Sequence, residues 1–107
     1  MPVRIGAVSA TARVLHCEGE FDLYSVAALL EAAGASSAGT GPSRLVIDVS
    51  AVGFADSAFL NCLLWLRRTT PCLVLAGTLP KQLRRLLEIT ETLPLFTYAP
   101  DVEAAGP

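Results

Sequence analysis

Charge is scarce in this chain: only 17% of its 107 residues are Asp, Glu, Lys or Arg, and the formal net charge is −2. Affinity for phosphate backbones needs a net basic face, so direct nucleic-acid binding is not expected. Histidine is scarcer still, with His16 the single one, too few for a His/Cys metal cluster of ordinary spacing. Cys17, Cys62 and Cys72 are an odd set of cysteines without a Cys-x-x-Cys pair, and each sits among apolar neighbours. They read as buried thiols, and neither metal nor cofactor is expected. Long hydrophobic runs are missing too. The most apolar stretches, Leu45–Val49 and Cys62–Leu66, fall far short of the roughly 20 residues of a spanning helix, so no membrane insertion is expected. The start Met-Pro-Val-Arg-Ile-Gly lacks the basic and then apolar regions of a secretion signal, and the expected location is the cytoplasm.

What is abundant is apolar side chain, at 52% of residues and a mean hydropathy of +0.52. That excludes disorder. A chain of this length usually buries roughly two-thirds of its unfolded surface, enough for one core and one domain over 1–107. Large multi-site enzymes are excluded. Acidic residues Glu18, Glu20, Asp22 and Glu31 crowd the first third, and Arg67, Arg68, Lys81, Arg84 and Arg85 the second half, so an acidic and a basic face are open as well as plain solvated rims.

The periodicity alternates between short strands and helices, which is an α/β pattern without internal repeats. Arg4–Ala7 and Arg13–Cys17 read as two strands joined by a turn, with His16 pointing to one face and Gly19 ending the second strand. From Tyr24, the residues Val26, Leu29, Leu30 and Ala33 follow i, i+3, i+4, i+7 and fall on one helix face, with Gly34 placed to stop the helix. Ala35–Ser43 is small, polar and glycine-rich, a connection that lacks the Lys-Ser/Thr of a phosphate-binding loop. Leu45–Val49 is β-branched and apolar, suited to a strand buried on both faces. After a loop over Ser50–Phe54, a helix is predicted from Asp56 or Ser57 to about Arg68, with Asp56 as cap and Arg67 and Arg68 in the last turn. Cys72–Ala76 is the next strand, Pro80–Glu88 the next helix and Leu95–Tyr98 a last short strand.

The informative stretch is Leu45–Arg68. A buried strand, a short connection and then Asp56–Ser57 at a helix start present a hydroxyl at the C-terminal edge of a sheet, where α/β folds place their sites. Ser57 as a nucleophile would need a base and an oxyanion hole. The one histidine lies on an early strand and no Gly-x-Ser-x-Gly elbow surrounds Ser57, so the chain is not expected to be an enzyme. Plain helix capping by Asp-Ser is the stronger reading of the local pattern.

Gly19–Glu20–Phe21–Asp22, followed by the strand, connection and Asp-Ser helix of Leu45–Leu64, resembles the two signature elements of the STAS domain family. The likeness continues through Lys81–Phe96. It implies a single STAS-type domain, a central mixed β-sheet of four to five strands packed with helices. It further implies an anti-sigma factor antagonist: unphosphorylated, the protein would bind a partner that is both anti-sigma factor and serine kinase and so release a sigma factor. Phosphorylation of Ser57 would switch it off. Carried over from the family, the partner-binding positions are Asp22, Asp56, Ala58 and Asn61. A homodimer stays open, and so does an unphosphorylated STAS subunit that regulates a membrane transporter.

One position departs from the family pattern. Phe59 stands where the family has glycine, and it either packs into the core or projects beside Ser57 and alters kinase access. The helix it opens is apolar almost all round from Phe59 to Leu66, with only Asn61 polar, which predicts that it is sandwiched in the core or covered by a partner.

Overall fold

A computed structural model describes residues 3–8, 12–21, 23–33 and 44–104 of the chain. Within them the apolar, β-branched runs form five strands: β1 (Val3–Val8), β2 (Ala12–Phe21), β3 (Arg44–Ala55), β4 (Cys72–Ala76) and β5 (Thr97–Ala99). Helices α1 (Leu23–Ala32), α2 (Ser57–Thr69) and α3 (Lys81–Ile89) follow β2, β3 and β4 in turn. The strands lie in one sheet in chain order, with β1 antiparallel to β2 and the rest mutually parallel. The architecture is therefore α/β around a mixed sheet. Each parallel neighbour needs a crossover, and crossovers are right-handed. Because each new strand is added on the same side, the three helices all fall on one face.

The period of two along the strands sorts the side chains accordingly. Leu15 and Cys17 of β2, Leu45, Ile47 and Val49 of β3, and Leu73 and Leu75 of β4 share one cluster with Val26 and Leu29 of α1, Phe59, Leu63 and Leu66 of α2, and Leu83 and Leu87 of α3. The opposite face carries a smaller cluster of Val14, Val46, Val74 and Ala76, on which Ala99 and Val102 pack. The beginning of β3 is thus buried on both sides, as its composition predicts. Val26, Leu29 and Ala33 of the expected α1 stripe are buried, and Leu30 is half-buried against the same cluster. The expected helix stop at Gly34 and the connection Ala35–Ser43 lie outside the described residues.

Several boundaries differ from the sequence expectation, each for a physical reason. Gly19 does not end β2. It adopts φ +83, a conformation open to glycine, where the ladder to β3 slips register, and the strand resumes to Phe21. Because Glu18–Phe21 continues, residues 50–54 of β3 have a partner to pair with and form strand where a loop was expected. The last strand begins at Thr97, two residues late, since Pro94 sits in a 3-10 turn over Leu93–Leu95. Cys17 and Cys62 are buried as expected, whereas Cys72, the first residue of β4 and on the thinner outer cluster, is only half-buried.

Candidate functional site

The site is assembled where β3 hands over to α2. Asp56 keeps an extended conformation at φ −109 and ψ −171, and its Oδ1 accepts from the amides of Ala58 at 2.9 Å and Phe59 at 3.2 Å. Those are two of the four amides a helix start leaves unpaired, so Asp56 is the cap predicted from its position. Ser57 becomes the first helical residue and is exposed; Ala58 is half-buried and Asn61 is exposed one turn on. Asp22, the remaining partner-binding position, lies outside the described residues.

A residue the sequence did not reveal fixes this corner. Gln82 of α3 accepts from the Ala55 amide through Oε1 at 2.8 Å and donates to the Ala55 carbonyl through Nε2 at 2.7 Å. A primary amide is both donor and acceptor, so Gln82 pairs with Ala55 as a neighbouring strand would. No local signal marks it, because the two residues are 27 apart in the chain and only the docking of α3 on β3 brings them together.

Phe59 points inward. It is fully buried, and its ring lies 4.8 Å from that of Phe21 at a tilt of 49°, a distance at which aromatic pairs attract. Of the two readings open for the aromatic, packing into the core holds. Of the two alternatives for the apolar stretch Phe59–Leu66, burial on all sides does not hold. Phe59, Leu60, Cys62, Leu63 and Leu66 are buried, but Ser57, Asn61, Trp65 and Arg68 form an exposed line at i, i+4, i+8 and i+11. Trp65 is the large apolar residue on that line, 42% exposed. At the far end of the β2–β3 ladder exposed Glu20 pairs with Phe54, which is 47% exposed.

A second polar group sits on the helix-free face. His16 Nδ1 is 2.9 Å from Asp48 Oδ2, and Asp48 Oδ1 accepts from the Ser50 amide at 3.0 Å and hydroxyl at 2.7 Å. Burial pushes the Asp48 carboxyl up, but the hydrogen bonds from Ser50 and the contact with His16 outweigh it and hold the group below its ordinary value of 3.8. Histidine, aspartate and serine are all present, yet not as a nucleophile and its base: the Ser50 hydroxyl is given to Asp48, not to the imidazole. Asp48 is eight residues before Asp56, roughly 25 Å along a strand, so His16 is out of reach of Ser57. Among the described residues no group of three His, Cys, Asp or Glu side chains is placed to hold a metal ion, and no helix is long and apolar enough to cross a membrane.

A family model described as "Mlab, STAS domain" matches residues 7–92. No curated protein matches the chain in sequence. Among solved structures, an anti-sigma factor antagonist from Mycobacterium paratuberculosis is similar with a TM-score of 0.78 at 26% identity, over 96% of this chain and 88% of that one. The anti-sigma factor antagonist SpoIIAA in its unphosphorylated form gives 0.76 at 16% identity, over 95% of this chain and 91% of its own. The Bacillus cell fate determinant SpoIIAA in its phosphorylated form gives 0.67 at 15% identity, over 95% of both chains. The latter two likenesses establish a shared fold.

Proposed function

Because the chain belongs to the STAS domain family, we propose that residues 1–107 form one such domain acting in the cytoplasm as an anti-sigma factor antagonist, with Ser57 as phosphoacceptor. Unphosphorylated, it binds a partner that is anti-sigma factor and serine kinase in one, and a sigma factor is released; phosphorylated, it lets go. The protein is not itself an enzyme, since the kinase supplies the chemistry. The observation that carries this reading is the exposed Ser57 at the first position of α2, directly behind a cap that is already satisfied.

The physics of the switch follows from that placement. A phosphate adds about −1.5 to −2 charges and three acceptor oxygens. At a helix N-terminus the charge meets the positive end of the dipole, so the fold tolerates it. The Ala58 and Phe59 amides are already taken by Asp56, so the phosphate has few helix donors to turn toward and faces outward beside another carboxylate. A partner fitted to a neutral hydroxyl there, with Asp56, Ala58 and Asn61 around it and Asp22 carried over from the family, meets a cluster of negative charge instead.

The test is a binding titration with the cognate kinase. Ser57→Ala is expected to keep the affinity and Ser57→Asp to lose more than tenfold, above about 1.4 kcal/mol. Incubation with kinase and ATP should add one phosphate by intact mass to the wild type and none to Ser57→Ala. Equal affinities of the two variants, or no mass gain, would sink the switch. The exposed Trp65 on the same helix line would then favour the second reading, an unphosphorylated subunit held permanently against a transporter.

A further inference from the structure

At the C-terminal ends of β4 and β5 lies an open hollow of about 490 Å³ whose lining does not include Ser57. We propose that it binds a small organic anion with an apolar body, its carboxylate held by Arg84. The hollow exists because of a turn. Gly77, at φ +88, donates its amide to the Ala99 carbonyl at 3.0 Å and then leads the chain away from the sheet toward α3. A side chain at that position would meet Ser50 Cβ at 2.8 Å, so the turn is reserved for glycine. Between the departing segment and β5 the walls are apolar, from Leu79, Leu93, Ala99 and Pro100. Leu79 and Leu93 are half-buried against the main core and turn their remaining surface to the hollow.

The volume equals that of about 16 waters at ~30 Å³ each, and it falls in the size range of small-molecule sites, which combine apolar walls with a few placed polar groups. Here the polar side chains are those of Thr78, Arg84 and Tyr98, and Arg84 is the cation among them. The Tyr98 hydroxyl donates its one proton to the Leu93 carbonyl, so it has none left for an anion. Burial raises the Tyr98 phenol above its ordinary value while the neighbouring Arg84 guanidinium pulls the other way. The phenol therefore stays neutral and does not compete as an anion for Arg84. Glu88 does approach Arg84, but at 3.7 Å through Nε alone, with both side chains more than half exposed, a weak pair that a carboxylate in the hollow displaces. The guanidinium fork then offers its remaining N–H groups to a carboxylate. A second hollow of about 340 Å³ beside Arg67, Thr70, Cys72 and Thr97 lacks this character. Its lining is mainly polar and offers no apolar wall for the body of such a ligand.

The probe is octanoate, with octanamide as its neutral counterpart, titrated into the uniformly labelled full chain and followed by amide NMR shifts. Octanoate is expected to shift Gly77, Thr78 and Ala99 saturably, with a dissociation constant of about 1 mM for a ligand of this size. Octanamide should bind at least tenfold more weakly, and Arg84→Gln should bring octanoate down to the octanamide value. Arg84 is exposed, and an otherwise unchanged spectrum of the variant shows that the fold is intact. Equal affinities for the two probes, shifts that never saturate, or shifts centred on Thr70, Cys72 and Thr97 would each overturn the proposal. None of these outcomes depends on Ser57.

Discussion

Asp48 is the one charged side chain in a strand segment that otherwise reads as continuous core. In the sequence it hides inside Leu45–Val49, and its environment follows from a register that no local pattern reveals: His16 stands directly across from it on β2. His16 itself was legible as pointing to one face of an early strand, but not its partner. Three donors converge on the carboxylate, from His16 and from the amide and hydroxyl of Ser50, and they hold Asp48 below its ordinary 3.8 despite its burial. A carboxyl depressed in the folded state contributes stability above the pKa of the unfolded chain and loses it as pH falls through the folded value. Urea midpoints measured from pH 7 downward should therefore hold until about pH 4 and then fall. Asp48→Asn is expected to cost about 1 kcal/mol at pH 7, the scale of a partly exposed charged hydrogen bond, and to flatten that acid limb. A variant with an acid limb as steep as the wild type's would show that other carboxylates carry it.

At the scale of elements, legibility followed locality. The limits of α2 were readable because its signals lie side by side: Asp56 to cap, an apolar run to bury, arginines in the last turn, and the helix does run from Ser57 to Thr69. β4 was readable as Cys72–Ala76 for the same reason. The far half of β3 was not, since Ser50–Phe54 is strand only because β2 continues past Gly19 and pairs with it. Nor was the polar tie between α3 and β3, which Gln82 adds to the packing of Leu83 and Leu87. Its two hydrogen bonds to Ala55 join the elements one residue before the Asp56 cap, so a residue of α3 helps to position Ser57. Gln82→Leu keeps the bulk and removes both bonds, leaving a partly buried amide and carbonyl without partners. It should cost about 1–3 kcal/mol. Hydrogen exchange is expected to quicken at Ala55 and in the first turn of α2 more than at Leu29 in α1. Uniform quickening across the chain would mean that Gln82 supports overall stability and does not hold this corner in particular.

Across the whole molecule, the α/β class was legible from alternation of periods and the mixed sheet only through the family resemblance, but the gathering of all three helices on one face follows only from the strand order. That gathering makes one cluster of residues from β1 to β4 and from every helix, and such a core is expected to open as a unit. The three cysteines make this measurable. Cys17 on β2 and Cys62 on α2 both belong to the cluster, and burial foremost pushes each thiol up to about 12, with Cys62 and Asp48 adding to the effect at Cys17. At pH 7 a thiol of that kind is ionised at about 10⁻⁵, against a few per cent for one in an unfolded chain. Attack by a thiol reagent therefore waits for opening. Cys72, half-buried at the start of β4 on the other face, does not wait. In native buffer Cys72 should label first and alone, and Cys72→Ser should remove that fast phase. Cys17 and Cys62 should then label together, with rates that rise with urea along the slope of equilibrium unfolding, because the same opening frees both. Separate rates, or a shallower urea slope for Cys62 than for Cys17, would show instead that α2 lifts from the sheet by itself, and the helix that presents Ser57 would then be a unit of motion in its own right.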